Sequence, residues 1–244
     1  QTRYNWYLKY GINPRNISLR EHTKEELAHY AKACIDIEYN FPMGVRELEG
    51  IANRTDFDLK RHTEFSGKTL DYFDEETKLR YTPYVIEPSA GVDRMFLAFL
   101  CDAYNEEKVR SETRTVLKLH FALAPIKVAV LPLLKKRRDI VELALKITKD
   151  LKKSFHCMYD DTASIGRLYR RQDEIGTPYC VTVDVDTIEG DRKVTVRERD
   201  SMQQIRVEPE KLRQVLNDLA EVGWSQVSAK VGLWNSSVKD ESSS

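Results

Sequence analysis

One stretch, Glu87-Pro88-Ser89-Ala90-Gly91-Val92-Asp93-Arg94, joins a predicted strand to a predicted helix and decides how the first half of the chain is interpreted. The strand, Tyr84–Glu87, is expected to stop at the proline, and the helix is expected from about Asp93. Gly91 and the alanine before it add little bulk, so a ligand can approach the backbone closely. A carboxylate before such a turn can hold an ammonium group, and an arginine after it can contact a phosphate or stack on a base. Taken alone, the pattern also fits a capped helix with a surface arginine.

The segments around this stretch predict an antiparallel sheet backed by helices. A helix is expected over Thr23–Lys32, and alternating apolar residues predict strands at Ile35–Tyr39 and Arg46–Ala52. The helix that follows the central stretch contains Met95–Leu100, which is apolar on all sides and is therefore expected to be deeply buried.

The second half predicts an α/β domain with a mixed sheet. A short apolar strand, Ile126–Leu131, precedes a helix whose apolar positions run from Ile140 to Leu151. A strand at His156–Tyr159 would pair in parallel with the first and close a right-handed β-α-β unit. The remaining predicted elements are a short helix (Ala163–Arg171), a hairpin (Val181–Val185 with Val194–Arg197), a strand (Ile205–Val207) and a helix opened by Pro209.

Two domains and a tail follow from this division. The first spans residues 1–121, the second spans 122–235 after a hinge at Phe121–Pro125, and the Ser-rich end at 236–244 is expected to be flexible. The fold class is therefore α+β followed by α/β.

Composition indicates a soluble protein without a strong general attraction to nucleic acid. Charged residues make up 32% of the chain and the formal net charge is zero, although the second half is mildly basic. No apolar run reaches the ~20 residues of a membrane span, and the first residues show no targeting pattern. A cytoplasmic protein is expected, and the absence of an initial Met is compatible with a trimmed fragment.

The cysteines and histidines are scattered and show no metal-ligand or redox spacing. They predict buried, reduced thiols rather than a zinc site. These residues are Cys34, Cys101, Cys157 and Cys180, with His22, His29, His62, His120 and His156.

Several stretches together resemble the class II glycyl-tRNA synthetase family of the homodimeric type. Glu47–Leu59 is very specifically similar to that family, and Glu87–Arg94 resembles motif 3 of the class. The resemblance extends over about residues 20–222 and includes four further segments: Ala28–Ala33 with Asp36–Tyr39, Leu123–Val128 at the entry to an anticodon-binding domain, Asp173–Tyr179, and Val194–Val207. It implies the C-terminal part of a class II antiparallel-sheet catalytic domain, followed by a mixed-sheet anticodon-binding domain.

The resemblance also implies a set of binding residues. It assigns to ATP the residues Glu47, Leu48, Gly91, Val92, Asp93 and Arg94, with Mg²⁺ held on the phosphates through Glu47. It assigns to glycine the residues Arg54, Glu87, Pro88, Ser89, Ala90 and Gly91, with Arg54 on the carboxylate and Glu87 and Ser89 on the amino group. No side chain is implied as a nucleophile or as a general acid or base. Glu49, Asp56 and Asp58 are interpreted as structural acids.

The implied reaction has two steps, in which ATP activates glycine to glycyl-adenylate and the glycyl group then passes to the 3′ end of tRNA(Gly). Positioning and charge stabilisation are expected to drive it. Motif 1, at the dimer interface, and motif 2, whose arginine binds the α-phosphate, have no convincing match in these 244 residues. The chain alone is therefore expected to be inactive.

Candidate tRNA contacts in the second half are arginines: Arg170, Arg171, Arg197 and Arg199. Arg197 and Arg199 lie two apart on a predicted strand, so they are expected to share a face. The basic run Lys135–Arg138 is interpreted as a solvated face.

Two alternatives remain beside this interpretation. One is a non-catalytic protein on the same scaffold, such as the accessory subunit of the mitochondrial DNA polymerase. Presence of the full ligand set argues against it: Glu47, Arg54, Glu87, Ser89 and Arg94. The other is a class II synthetase for histidine, proline or threonine, and here the run Glu87–Gly91 favours glycine.

Overall fold

The computed structural model describes residues 1–109 and 111–234. The predicted tail at 236–244 lies outside the described residues. The chain divides into two compact units, Gln1–Asp102 and a second unit that begins at Ala103. This division comes earlier than the predicted boundary at residue 121, because a β-hairpin that the sequence did not indicate belongs to the second unit.

The first unit is an antiparallel sheet with helices on one face. Its four-stranded sheet has the order β1-β2-β3-β6, and all neighbouring strands are antiparallel. In chain order the elements are α1 (Thr2–Lys9), β1 (Ile17–Glu21), β2 (Ala33–Phe41), β3 (Gly44–Asn53), α2 (Phe57–Ser66), β4 (Tyr72–Phe73), β5 (Arg80–Tyr81), β6 (Ile86–Ala90) and α3 (Val92–Ala103). The predicted strands at 35–39 and 46–52 are confirmed.

The core of this unit lies on the apolar face of the sheet. Ile37, Tyr39 and Leu48 are buried there with Tyr7 of α1 and Ala98 of α3. Strand alternation sends every second side chain to this face, so the opposite face keeps the polar residues. The helices cover one side of the sheet and leave polar side chains on the other.

Three local predictions for the first unit were wrong. Residues 23–32 form turns rather than a helix: backbone bonds run from Glu26 to Thr23 and from Ala31 to Ala28, and the Lys32 amide donates to the Asn53 carbonyl of β3. Pro88 does not stop the strand but lies within β6, where a proline is tolerated because β6 is an edge strand of this sheet. Helix α3 is not buried all round, since Phe96 is 65% exposed among the described residues.

The second unit is an α/β domain built on a five-stranded mixed sheet of order β10-β9-β11-β12-β13. Strands β9, β10 and β11 are parallel, and β12 and β13 extend the sheet in antiparallel fashion beyond β11. In chain order the elements are β7 (Tyr104–Val109), β8 (Glu112–Leu117), β9 (Val128–Pro132), α4 (Arg138–Leu151), β10 (Cys157–Tyr159), α5 (Ile165–Glu174), β11 (Tyr179–Val183), α6 (Val185–Glu189), β12 (Val194–Glu198), β13 (Gln204–Val207), a 3₁₀ helix (Pro209–Lys211), α7 (Leu212–Val222) and α8 (Trp224–Val231).

Both faces of this sheet are covered. Helices α4 and α7 pack on one face around Val130, Val181 and Leu216, while Leu168 of α5 packs on the other face against Leu131. The predicted β-α-β unit is confirmed by the parallel pairing of β9 and β10. The predicted hairpin is modified, because α6 lies between β11 and β12. No helix in the described part of the chain is long and apolar enough to cross a membrane.

Candidate functional site

Pairing of β3 with β6 brings together the two stretches that the sequence singled out. Gly50 lies opposite Ser89, and Ala52 lies opposite Glu87. Directly paired residues point to the same face of an antiparallel sheet. Glu87 and Ser89 therefore share one face with two small residues of β3, and this is the polar face that the helices leave uncovered.

Gly50 opens space on this face. A Cβ atom at Gly50 would lie 3.3 Å from Glu47 Oε1 and 3.6 Å from Asp36 Oδ1, so two carboxylates converge above a residue that has no side chain. Gly50 was not among the site residues predicted from the sequence. A glycine inside a strand, which often marks a close approach of a ligand, was the available signal.

Arg94 and Glu47 are in direct contact. The guanidinium of Arg94 donates a hydrogen bond of 2.8 Å from Nη1 to the main-chain carbonyl of Glu47. Gly91, Val92 and Asp93 are exposed at the start of α3, where the first backbone N–H groups of a helix lack helical partners and favour an anion. Glu47 and Gly91–Arg94, which were predicted to bind ATP, thus come together at one end of the polar face.

Arg54 has internal partners that the sequence did not indicate. It donates two bonds to Asp58, of 2.6 and 3.0 Å, and one of 2.8 Å from Nη1 to Glu87 Oε2. Its guanidinium also lies 4.0 Å from the ring centroid of Tyr30. The bonds to Asp58 and then to Glu87 raise the pKa of Arg54, and the same pairing lowers the pKa of Asp58. Arg54 therefore holds Glu87 in place, and Asp58 orients Arg54.

Three predicted site residues offer only their backbone to a ligand on the polar face. The Leu48 side chain is buried in the core of the first unit. Pro88 and Ala90 alternate with Glu87 and Ser89 along β6, so their side chains lie on the other face. The strand register thus separates side-chain contacts from backbone contacts within one short motif.

Arg197 and Arg199 are buried, which corrects their prediction as solvent-facing tRNA contacts. Arg197 donates two bonds to Asp173 on α5, and Arg199 donates to the carbonyl oxygens of Leu119 and Gly176. Alternation along β12 suggested an open polar face, but Asp173 of α5 supplies the counter-charge of Arg197, and Asp200 supplies that of Arg199. These arginines support the fold of the second unit.

Arg170 and Arg171 lie on α5 and remain accessible. The side chain of Arg171 is 51% exposed and that of Arg170 is 32% exposed. Arg171 Nη1 also donates to Thr162 Oγ1 at 2.6 Å and lies 3.3 Å from Asp160. Of the four arginines predicted to contact tRNA, these two are accessible to solvent.

A cavity of about 740 Å³ lies in the second unit between α4, α6 and the start of α7. Apolar side chains such as Ile147 and Leu212 line it, and lysines such as Lys146 and Lys149 surround it. It contains none of the sequence-predicted site residues. The polar face of the first unit, rather than this cavity, holds the predicted substrate groups.

The second unit matches a known family model. Residues 127–219 match the family described as Anticodon binding domain. The matched range begins just before β9 and ends within α7, so it covers the whole five-stranded sheet.

Most of the chain is similar to glycine–tRNA ligases. It is 56% identical over 213 residues to the glycine–tRNA ligase of Caldanaerobacter subterraneus subsp. tengcongensis, a match that covers 87% of this chain and 45% of the relative. It is 56% identical over 210 residues to that of Ruminiclostridium cellulolyticum, covering 86% and 45%. It is 53% identical over 219 residues to that of Clostridium tetani, covering 89% and 46%. The chain thus spans about half the length of the relatives it matches.

A solved structure supports the fold. Prolyl-tRNA synthetase from Cryptosporidium parvum, determined with L-proline and AMP, matches with a TM-score of 0.64 and 16% identity, covering 94% of this chain and 47% of that one. At this identity the match shows the fold alone, which is that of a class II aminoacyl-tRNA synthetase. By sequence and fold, the chain is homologous to about half of a glycine–tRNA ligase, and residues 127–219 of its second unit match an anticodon-binding domain.

Proposed function

We propose that this chain supplies one wall of the glycine and ATP site of a glycyl-tRNA synthetase, together with the domain that binds the anticodon of tRNA(Gly). The observation that carries the proposal is the pairing of β3 with β6. It places Glu87 and Ser89 beside Gly50 on an open polar face, with Arg94 and Glu47 at one end of that face. Similarity to glycine–tRNA ligases supports the same assignment.

Glycine would be recognised by its ammonium group and by the lack of space for a side chain. In this proposal the Glu87 carboxylate accepts the ammonium, and the Ser89 hydroxyl lies two residues further along the same face. Arg54 fixes Glu87 through its Nη1 bond and leaves the second carboxylate oxygen for the substrate. This role differs from the sequence prediction, in which Arg54 bound the glycine carboxylate. Glycine has no side chain that a pocket can bind, so it is best selected by excluding larger amino acids.

ATP would lie at the start of α3. The exposed amides of Gly91–Arg94 and the Arg94 guanidinium provide donors for phosphate or for the base. Mg²⁺ fits this end of the face, because Glu47 offers an exposed carboxylate oxygen and Mg²⁺ on phosphates typically needs only one or two carboxylates. When bound, the ion would neutralise phosphate charge. The Arg94 bond to the Glu47 carbonyl fixes the strand from which that carboxylate projects.

The chemistry proposed for the complete site is adenylyl transfer followed by transfer to RNA. The glycine carboxylate attacks the α-phosphorus of ATP and pyrophosphate leaves; a ribose hydroxyl of tRNA(Gly) then takes the glycyl group and AMP leaves. The residues described here bind and orient the reactants, and none of them needs to form a covalent bond. In this proposal the full-length protein is a homodimer and acts in the cytoplasm.

Substitution of Glu87 in the full-length protein tests this proposal. Loss of a charged hydrogen bond to the substrate should cost roughly 1.5–3 kcal/mol, so E87Q should lower kcat/KM for glycine by about 10- to 150-fold in ATP–pyrophosphate exchange. R54K should also lower it, because an ammonium cannot reproduce the planar guanidinium that makes two bonds to Asp58 and a third to Glu87. E64Q, at an exposed glutamate of α2, is the control and should leave the kinetics unchanged. An unchanged kcat/KM for glycine in E87Q would refute the assignment.

A further inference from the structure

Three potential metal ligands that are scattered in the sequence meet on the polar face of the first sheet. The backbone amide of His22 donates to the carbonyl of Cys34 at 3.0 Å, which places these residues opposite each other at the end of the β1–β2 pair. Asp36 follows Cys34 by two positions on β2 and so shares its face. A rigid pair of strands therefore sets all three Cβ positions.

The side chains are already close to one another. His22 Nε2 lies 2.7 Å from Asp36 Oδ2, and Cys34 Sγ lies 4.0 Å from Asp36 Oδ1. One ligand atom from each of the three residues lies within 4.8 Å of the others. Zinc binds nitrogen and oxygen at about 2.0–2.2 Å and sulfur at about 2.3 Å, so ligand atoms around it are separated by distances of this order. Small side-chain rotations would suffice to close the site.

The surrounding charges are mostly negative. Besides Asp36 itself, Glu38 and Glu47 contribute carboxylates near the cluster, and the Glu47 and Asp36 oxygens both lie beside Gly50. Arg20 opposes a cation, because its Nη2 lies 3.2 Å from Asp36 Oδ2. Arg20 also pairs with Glu26 and Glu38 and is 43% exposed, so it has other partners when Asp36 turns to a metal. The acids outnumber this one guanidinium.

We propose that His22, Cys34 and Asp36 form a three-ligand site for a borderline-soft divalent cation, for which Zn²⁺ is the best match. Imidazole, thiolate and carboxylate are all zinc ligands, and a thiolate disfavours Mg²⁺ and Ca²⁺. The fourth coordination position would face the open polar surface beside Gly50. This site is separate from the Mg²⁺ that Glu47 would hold through ATP, and it does not depend on the proposed function.

Metal titration of the 244-residue chain tests the proposal. Zn²⁺ should bind with one-to-one stoichiometry in competition with a chromophoric chelator, and Co²⁺ should give the sulfur-to-cobalt charge-transfer band that a thiolate ligand produces. C34S should abolish that band and weaken Zn²⁺ binding by about 100-fold or more, since even loss of an outer hydrogen-bond partner of a metal ligand costs 10- to 100-fold. C101S, at the other partly exposed cysteine, should change neither result.

A second variant separates a metal site from a merely structural cluster. R20Q removes the guanidinium that competes for Asp36, so it should strengthen Zn²⁺ binding by about tenfold. Circular dichroism of each variant confirms that the fold is kept. The proposal is overturned if the chain binds no stoichiometric Zn²⁺, if the charge-transfer band survives C34S, or if R20Q weakens binding in a folded protein.

Discussion

Replacement of Asp173 by Asn should destabilise the second unit more than any surface substitution. Asp173 is completely buried on α5 and accepts bonds from three guanidinium nitrogens: Arg114 Nε at 2.8 Å, Arg197 Nη1 at 2.9 Å and Arg197 Nη2 at 3.1 Å. Asn keeps the shape of the side chain but removes its charge. The NH2 group of Asn is a donor, and it would lie against a guanidinium nitrogen that is also a donor. Arg114 retains Glu107, whereas Arg197 loses its carboxylate.

The expected cost follows from this loss of counter-charge. Breaking a buried ion pair by removing one partner costs about 3–5 kcal/mol, a large share of the ~5–15 kcal/mol that stabilises a typical domain. With a urea dependence of about 2 kcal/mol per molar, the unfolding midpoint should fall by roughly 1.5–2.5 M. The assay is urea unfolding in a Trp6→Phe background, followed by the fluorescence of Trp224 and Trp234 in the second unit.

Two comparisons make this result interpretable. D150N removes a half-exposed carboxylate that pairs with Lys153 and Arg213 at the surface, and it should hardly move the midpoint. R197M added to D173N removes the stranded charge, so the double variant should be more stable than D173N alone. If D173N shifts the midpoint no more than D150N does, the buried network is not what holds α5 to the sheet.

Three further outcomes are expected. R170A/R171A should weaken binding of the tRNA(Gly) anticodon stem-loop and reduce the slope of log affinity against log salt concentration by about 1.4–1.8. K146A/K149A on α4 is the matched control, and a larger effect in this control would place the RNA along α4 instead. Burial opposes ionisation of Glu49, but the hydrogen bonds that it accepts from Arg3 and Tyr7 prevail and lower its pKa below the ordinary 4.5. The ionised carboxylate therefore stabilises the first unit above pH 4.5, and this stabilisation is lost as the pH falls through the lowered pKa. E49Q should therefore flatten the acid limb of the stability profile of the first unit, and an unchanged limb would contradict this. The 244-residue chain alone should show no glycine-dependent ATP–pyrophosphate exchange, because the predicted α-phosphate arginine has no match in it; clear exchange would show that assignment to be wrong.

Local sequence was sufficient for most elements of the fold. Alternation predicted β2 and β3, and an apolar run followed by helical spacing predicted β9 and α4. These signals are local because each element buries one stripe or face that its own sequence marks. The wrong predictions concern segments whose structure depends on contacts with distant residues, as at 23–32, where the Lys32 amide donates to the Asn53 carbonyl of β3 instead of to a helical carbonyl.

The arginines show the same limit at the level of function. Arg197 and Arg199 have the spacing of an exposed basic face, yet both are buried. Arg197 pairs with Asp173 of α5, and Arg199 donates to the carbonyl oxygens of Leu119 and Gly176. Arg54 has the residue type of a carboxylate ligand, yet Asp58 and Glu87 already occupy its donors. The sequence gives the type of each side chain, but its exposure and its hydrogen-bond partners depend on elements from elsewhere in the chain that pack against it.

The sequence of Glu87–Arg94 was therefore enough to recognise the motif, whereas the positions of its side chains depend on the tertiary structure. Residue order alone determined the motif, its resemblance and the strand-to-helix change that brings Arg94 to the first turn of α3. Only the fold decided that β6 pairs with β3 in a register that sets Ser89 opposite Gly50, and that His22 meets Cys34 and Asp36 on the same face. The physical reason is that strand pairing joins residues distant in sequence, and a shift of one residue would turn every side chain to the other face.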